Sequence, residues 1–276
     1  MNQVNKTLYI PLYGKALVSK KNILLRDLKA EFIWNKEQFE LKGKSKSKYL
    51  AYYMAMRALV FDEWTRTKIN NNPNAIVLHV GCGLDSRVER INALSQWYDL
   101  DFENVIEERK KYYQENTHYH MISGDITKTD WLKNIDKKKD IIVIMEGVSM
   151  YVTNDQLKAF FTTLENNFNK IELLVDCYSI FAAKASKYKN PINDVGVTQV
   201  YGLDDPMSLN GNRIQFVQEL EMTPEKYICE LEGVERFIFD KLYAGNTSKK
   251  LYQLYEFRDL LWKINKKSKK ISNLIK

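Results

Sequence analysis

The sequence predicts an α/β protein, a parallel sheet with helices on both faces. Three observations lead there. Residues Ala75 to Asp101 read as strand, glycine turn, helix, strand and acid. Short apolar runs then alternate with amphipathic stretches as far as Cys177. Three of those runs close on a carboxylate, at Asp101, Asp125 and Glu146.

Residues 1–72 do not read as sheet. Thr7 to Ala16 is apolar and aromatic but punctuated by Pro11 and Gly14, so a packed, irregular segment is expected. Leu24 to Trp34 has helical spacing through Leu24, Leu28 and Phe32. Lys42 to Lys48 reads as a loop. Tyr49 to Lys68 is the best helix of this part, with Tyr49, Tyr53, Met56, Val60 and Trp64 in one stripe and Arg57 at its edge. Asn70 to Pro73 ends it.

The sheet begins with Ile76 to Val80, a run of the length of a buried parallel strand. Gly81-Cys82-Gly83 turns the chain where a ligand can approach bare backbone. Asp85 and Ser86 suit the N-cap of a helix from Arg87 to about Leu94. Gln96 to Leu100 is the second strand, ending on Asp101. Asn104 to Gln114 reads as a helix and His118 to Ser123 as a strand closed by Gly124-Asp125. Trp131 and Leu132 support a further helix. Asp140 to Met145 is the fourth strand, Asn154 to Phe168 a helix and Ile171 to Cys177 the fifth strand.

From about Phe181 to Asn212, Pro191, Gly196, Gly202, Pro206 and Gly211 break any period, the pattern of a lid or substrate-shaping insertion. Ile214 to Leu220 resumes as strand and Val234 to Tyr243 as helix. Leu251 to Phe257 fits both periods and is read as a last strand. The organisation is therefore residues 1–72, a core over 73–262 with the insertion at 181–212, and a basic tail at 263–276.

Composition narrows the class. A hydrophobic share of 45% with 28% charged residues is that of a soluble globular protein. The apolar run at Ile141 to Met145 is stopped by Glu146, so no membrane span or leader is expected. Three widely spaced cysteines point to a reducing cytoplasm. Six lysines of the +7 net charge lie in Lys263 to Lys276, which leaves +1 for the rest and gives no support to nucleic-acid binding.

The nucleoside grammar can be narrowed further. Ser86 stands where a dinucleotide fingerprint needs its third glycine, and no Gly-Lys-Ser/Thr phosphate loop is present. A glycine turn with no phosphate apparatus suits S-adenosylmethionine. Carboxylates at three strand ends suit an elongated ligand with hydroxyl, amino and ammonium donors; magnesium is the rival explanation. Asp125 could equally cap the next helix. His79 reads as a core histidine, and His118 and His120 lack partners for a metal site, so no metal is expected. No Gly-x-Ser-x-Gly elbow argues for covalent hydrolysis.

GCGLDSRVERI, WYDLDFENVIEER, GDITKTDWL and EGVSMYV, in this order and spacing, resemble the leucine carboxyl methyltransferase family, and more closely its bacterial branch of polyketide O-methyltransferases. TLYIPLYGKA and AMRALVFDE extend the likeness toward the N-terminus. The resemblance implies a class I methyltransferase fold, Rossmann-like, with seven strands, the last antiparallel, under an N-terminal helical cap. It implies that Arg57 binds the methionine carboxylate of the cofactor, that Gly81 and Gly83 form the turn against it, and that Asp101 holds the ribose. Asp125 would accept from the adenine amino group beside Ile126, and Glu146 would sit near the ammonium and the transferring methyl. Lys15 would line the site from the cap, with Tyr13 and Tyr151 as substrate-side candidates. Glu103 stands where relatives usually carry proline.

The resulting expectation is an S-adenosylmethionine-dependent O-methyltransferase of a small molecule or peptide. A carboxylate acceptor is favoured because it needs no general base. A nicotinamide-dependent oxidoreductase and a non-catalytic cofactor sensor are the alternatives.

Overall fold

Five short apolar runs form the parallel part of a sheet: β1 (Ile76–Val80), β2 (Trp97–Asp101), β3 (Tyr119–Ser123), β4 (Ile141–Met145) and β5 (Ile171–Tyr178). The computed structural model describes residues 7–189 and 199–260. Two further strands, β6 (Ile214–Leu220) and β7 (Tyr252–Asp259), complete the order β3-β2-β1-β4-β5-β7-β6. β7 runs antiparallel to both of its neighbours. The reading of Leu251 to Phe257 as the final strand therefore holds, and β1 and β4 flank the point where the strand order reverses.

Alternation along β1 separates the two cores. Ile76, Leu78 and Val80 pack with Phe160, Phe161 and Leu164 of the helix Asn154–Asn167. Val77 joins Met56, Phe61 and Trp64 on the opposite face. Those three belong to a 24-residue helix, Lys48–Asn71, which lies under the sheet with fifteen buried residues and carries Arg57 and Asp62 into the interior. We label it α3.

Ahead of α3 come α1 (Tyr9–Lys20) and α2 (Leu28–Glu37). The irregular segment expected at Thr7 to Ala16 is instead α1. Pro11 lies in its first turn, where the backbone N–H has no helical partner to lose. Gly14 is a contact point with α3: a Cβ there would stand 3.2 Å from Met54 Cβ and 3.3 Å from Ala51 Cα. In α2 the expected stripe is also wrong. Leu28 and Phe32 are 60% and 55% exposed, while Ala30 and Ile33 are buried, and Asp27 caps the helix through Ala30 N.

Several elements are shorter than expected. The helix after the glycine turn, α4 (Arg87–Ile91), stops at Asn92, whose φ of 49° is left-handed. The next, α5 (Glu103–Arg109), also ends early, and Trp131 sits in a 3-10 turn, Asp130–Asn134. The insertion opens with a regular helix, Ile180–Lys189, and not with loop. The tail, 263–276, lies outside the described residues.

Candidate active site

A cavity of about 580 Å³ opens over the carboxyl ends of β1, β2 and β4. Its wall brings together Lys15, Arg57, Gly81, Gly83, Asp101, Asp125, Ile126, Glu146 and Tyr151. Tyr13 is not brought there. It tilts against Trp34, 5.0 Å between ring centroids, on the outer side of α1. Its hydroxyl donates to Lys46 O at 3.4 Å, away from the cavity wall that carries Lys15.

The glycine turn forms one end. Gly81 has φ +63°, and a Cβ there would lie 2.2 Å from Val148 Cγ2. Asp101 faces the turn, its two oxygens accepting from Gly83 N at 2.9 Å and Phe102 N at 2.8 Å. Burial pushes its carboxyl up to about 6, against the pull of those two N–H groups. Asp125 lines the cavity and also caps a turn, accepting from Thr127 N at 2.9 Å.

The other end is ionic. Glu146, immediately after β4, accepts from Arg57 Nε at 3.1 Å through Oε1 and from Arg87 through Oε2. Burial works to raise its carboxyl, but Arg87, Arg57 and Lys15 hold it at about 2. Arg57 also donates from Nη1 to Asp176 at 3.1 Å and to the Tyr252 hydroxyl at 2.7 Å. Lys15 is 2% exposed and pairs with Asp85 at 2.7 Å. Asp85 is shared with Arg90 at 2.7 Å and also accepts from Arg87 N at 3.0 Å; the N-cap itself is Ser86, whose side chain makes no cap bond and donates to Asp27 instead. His79 is locked between Asp99 and Arg87, each 3.2 Å from a ring nitrogen, and burial lowers its basicity.

Sequence reasoning missed Arg87, Asp176 and Tyr252. Asp176 did carry a signal: a carboxylate near the end of an otherwise apolar strand, fully buried, must have partners. Their identity depends on which strand lies beside β5, and that is not written locally.

The fit to S-adenosylmethionine can be tested on this geometry. The turn offers backbone without side chains, Asp101 retains acceptor capacity toward the cavity, and Nη2 of Arg57 has two N–H groups but, among the described residues, only Glu146 within reach at 3.0 Å. The residues fit.

Residues 3–165 match the family model for leucine carboxyl methyltransferase, more than half of the chain. The chain belongs to the leucine carboxyl methyltransferase family. It is an S-adenosylmethionine-dependent methyltransferase, which sets aside the nicotinamide alternative. The tetracenomycin polyketide synthesis O-methyltransferase TcmP of Streptomyces glaucescens is 25% identical over 240 residues, covering 85% of this chain and 89% of that one. The S-adenosyl-L-methionine-dependent methyltransferase dpfgK of Gibberella zeae is 26% identical over 182 residues, 60% of this chain and 61% of that one. Among solved structures, a DUF574 family protein from Streptomyces avermitilis superposes with a TM-score of 0.56 at 8% identity, covering 88% of this chain and 96% of that one. Magnesium protoporphyrin IX methyltransferase from Synechocystis, with bound S-adenosylhomocysteine, gives 0.50 at 13% identity, covering 84% and 99%. These two likenesses show the fold. Among the described residues no helix is long and apolar enough to cross a membrane.

Proposed function

We propose that the chain transfers methyl to the carboxylate of a small-molecule or peptide acceptor, forming an ester. The observation that carries this reading is Lys15, a buried cation on the cavity wall, close enough to Glu146 to help hold down its carboxyl. A carboxylate is ionised at neutral pH, so the acceptor needs no base. His79, the histidine on this wall, is committed to Asp99 and Arg87. The name of the Streptomyces glaucescens relative, an O-methyltransferase, supports transfer to oxygen.

When bound, the cofactor supplies a methyl group on a sulfonium sulfur. Arg57 binds its methionine carboxylate through the remaining N–H, and Glu146 takes the ammonium. Gly81 and Gly83 let the chain close against the methionine portion. Asp101 accepts from the ribose hydroxyls, and Asp125 from the adenine amino group, beside Ile126. Lys15 orients the acceptor carboxylate for in-line attack, with Tyr151 on the same wall. In this reading the helices of residues 1–72 form a cap that brings Lys15 and Arg57 to the core. The cysteines, all free, suit a cytoplasmic setting.

The test is transfer from methyl-labelled cofactor into a pool of metabolites and peptides. The expected product is an ester that releases labelled methanol in mild alkali. An alkali-stable methyl ether would move the acceptor atom to a hydroxyl.

A further inference from the structure

Asp176 does not line the cavity, yet three separate parts of the site converge on it. Its Oδ2 accepts from Arg57 Nη1 at 3.1 Å and from the Tyr252 hydroxyl at 2.6 Å. Arg57 Nη1 also donates to that hydroxyl oxygen at 2.7 Å, which closes a triangle of three hydrogen bonds. Gly147 N, next to Glu146, donates to Oδ1 at 2.8 Å. One carboxylate thereby fastens α3, the turn after β4 and the start of β7. Both Nη1 protons of Arg57 are consumed in the triangle, so the guanidinium cannot rotate and its Nη2 edge is the one left over.

We propose that Asp176 is a positioning residue for the cofactor: with Tyr252 it holds Arg57 so that the Nη2 edge meets the methionine carboxylate. The proposal rests on the reading of Arg57 given above. An ionised carboxylate is what these contacts require, since the three groups bonded to it, Arg57 Nη1, the Tyr252 hydroxyl and Gly147 N, all donate. An asparagine of the same shape would set an N–H against either Arg57 or Gly147.

The charge on Asp176 is also adjustable near neutrality. Arg57 and Tyr53 face it from α3, Glu146 and Tyr151 from the turn after β4, Tyr178 from its own strand and Tyr252 from β7. Burial outweighs Arg57 and lifts its carboxyl to about 6. Tyr53, Tyr151 and Tyr252 are pushed up by burial, whereas in Glu146 the neighbouring cations overcome burial and hold the carboxyl at about 2. Protonation below pH 6 therefore weakens the triangle without changing those neighbours. Asp101 titrates in the same range but at the nucleoside end, so the test must isolate the methionine end.

S-adenosylhomocysteine and 5′-methylthioadenosine share the nucleoside and differ in the amino-acid end, and the ratio of their dissociation constants reads that end alone. By calorimetry the native ratio should favour S-adenosylhomocysteine at pH 7.5 and fall about tenfold by pH 5. Asp176→Asn should show the fallen ratio at pH 7.5 and no pH dependence. Tyr252→Phe, which keeps the ring packed against Tyr178, should move the ratio in the same direction by a smaller factor and serves if Asp176→Asn does not fold. Equal weakening of both ligands, an unchanged ratio or a raised one in Asp176→Asn overturns the proposal; if that variant does not fold, an unchanged ratio in Tyr252→Phe does. Arg57→Lys separates the two readings. If it leaves the ratio untouched, the assignment of Arg57 fails; if it lowers the ratio while Asp176→Asn does not, only the positioning role fails.

Discussion

Lys15 and Asp85 meet at 2.7 Å, joining α1 to the turn that follows β1. The pair is buried, so a cation from the N-terminal helices is fixed beside the residues that close the cavity. Asp85 is not dependent on it alone, because Arg90 stands at 2.7 Å and Arg87 at 3.6 Å.

That redundancy makes Lys15→Met an informative change. The fold should survive, and kcat/KM for the acceptor should fall on the order of tenfold or more while cofactor affinity stays within about threefold. Steady-state kinetics with the labelled acceptor and a calorimetric titration of the cofactor check both halves. Loss of cofactor affinity with an unchanged acceptor term would assign Lys15 to the cofactor.

Asp101→Asn separates binding from stability. Losing the charge should weaken cofactor binding by about ten- to a hundredfold. Stability should move the other way with pH. Burial raises this carboxyl to about 6 from an unfolded value of 3.8, so between those values the folded protein holds the extra proton. Native stability from this group is therefore lost as pH rises through the window. Relative to native, the ligand-free mutant should gain about 1–3 kcal/mol between pH 4 and pH 7. Urea unfolding at the two pH values measures it, and a pH-independent difference would refute the shift.

Gly81→Ala should damage the site through the backbone. The φ of +63° disfavours any side chain, and the added Cβ collides with Val148 Cγ2 at 2.2 Å. A cost of about 1–3 kcal/mol in stability is expected, with cofactor binding reduced further because the turn is displaced. Thermal melts with and without S-adenosylhomocysteine would show a lowered Tm and a smaller ligand-induced rise.

The parts of the molecule legible in the sequence are those governed by local pattern. Ile76 to Val80 and Ile141 to Met145 are strands because continuous apolar runs between breakers have few other uses. Gly81, Asp101 and Glu146 stand out because strand ends in a parallel sheet share one edge. α1 was obscured because Pro11 and Gly14 are breakers only where their special properties matter, and here one lies in a first turn and the other at a helix crossing. The pairs of Arg87 with Glu146 and of Asp176 with Arg57 are invisible for another reason: their members lie 59 and 119 residues apart, and separation of that kind leaves no local periodicity.

The reversed direction of β7 has a consequence for how the chain assembles. Tyr252 opposes Tyr178 and Leu254 opposes Asp176, so it is the beginning of the last strand that lands beside the cavity. Among the described residues β6 is hydrogen-bonded into the sheet only through β7, although it precedes β7 by more than thirty residues. A nascent chain stopped short of Tyr252 would thus hold β6 without a neighbour and Arg57 without a hydroxyl. The ribosome must deliver the chain through Tyr252 before the ionic end of the site can close.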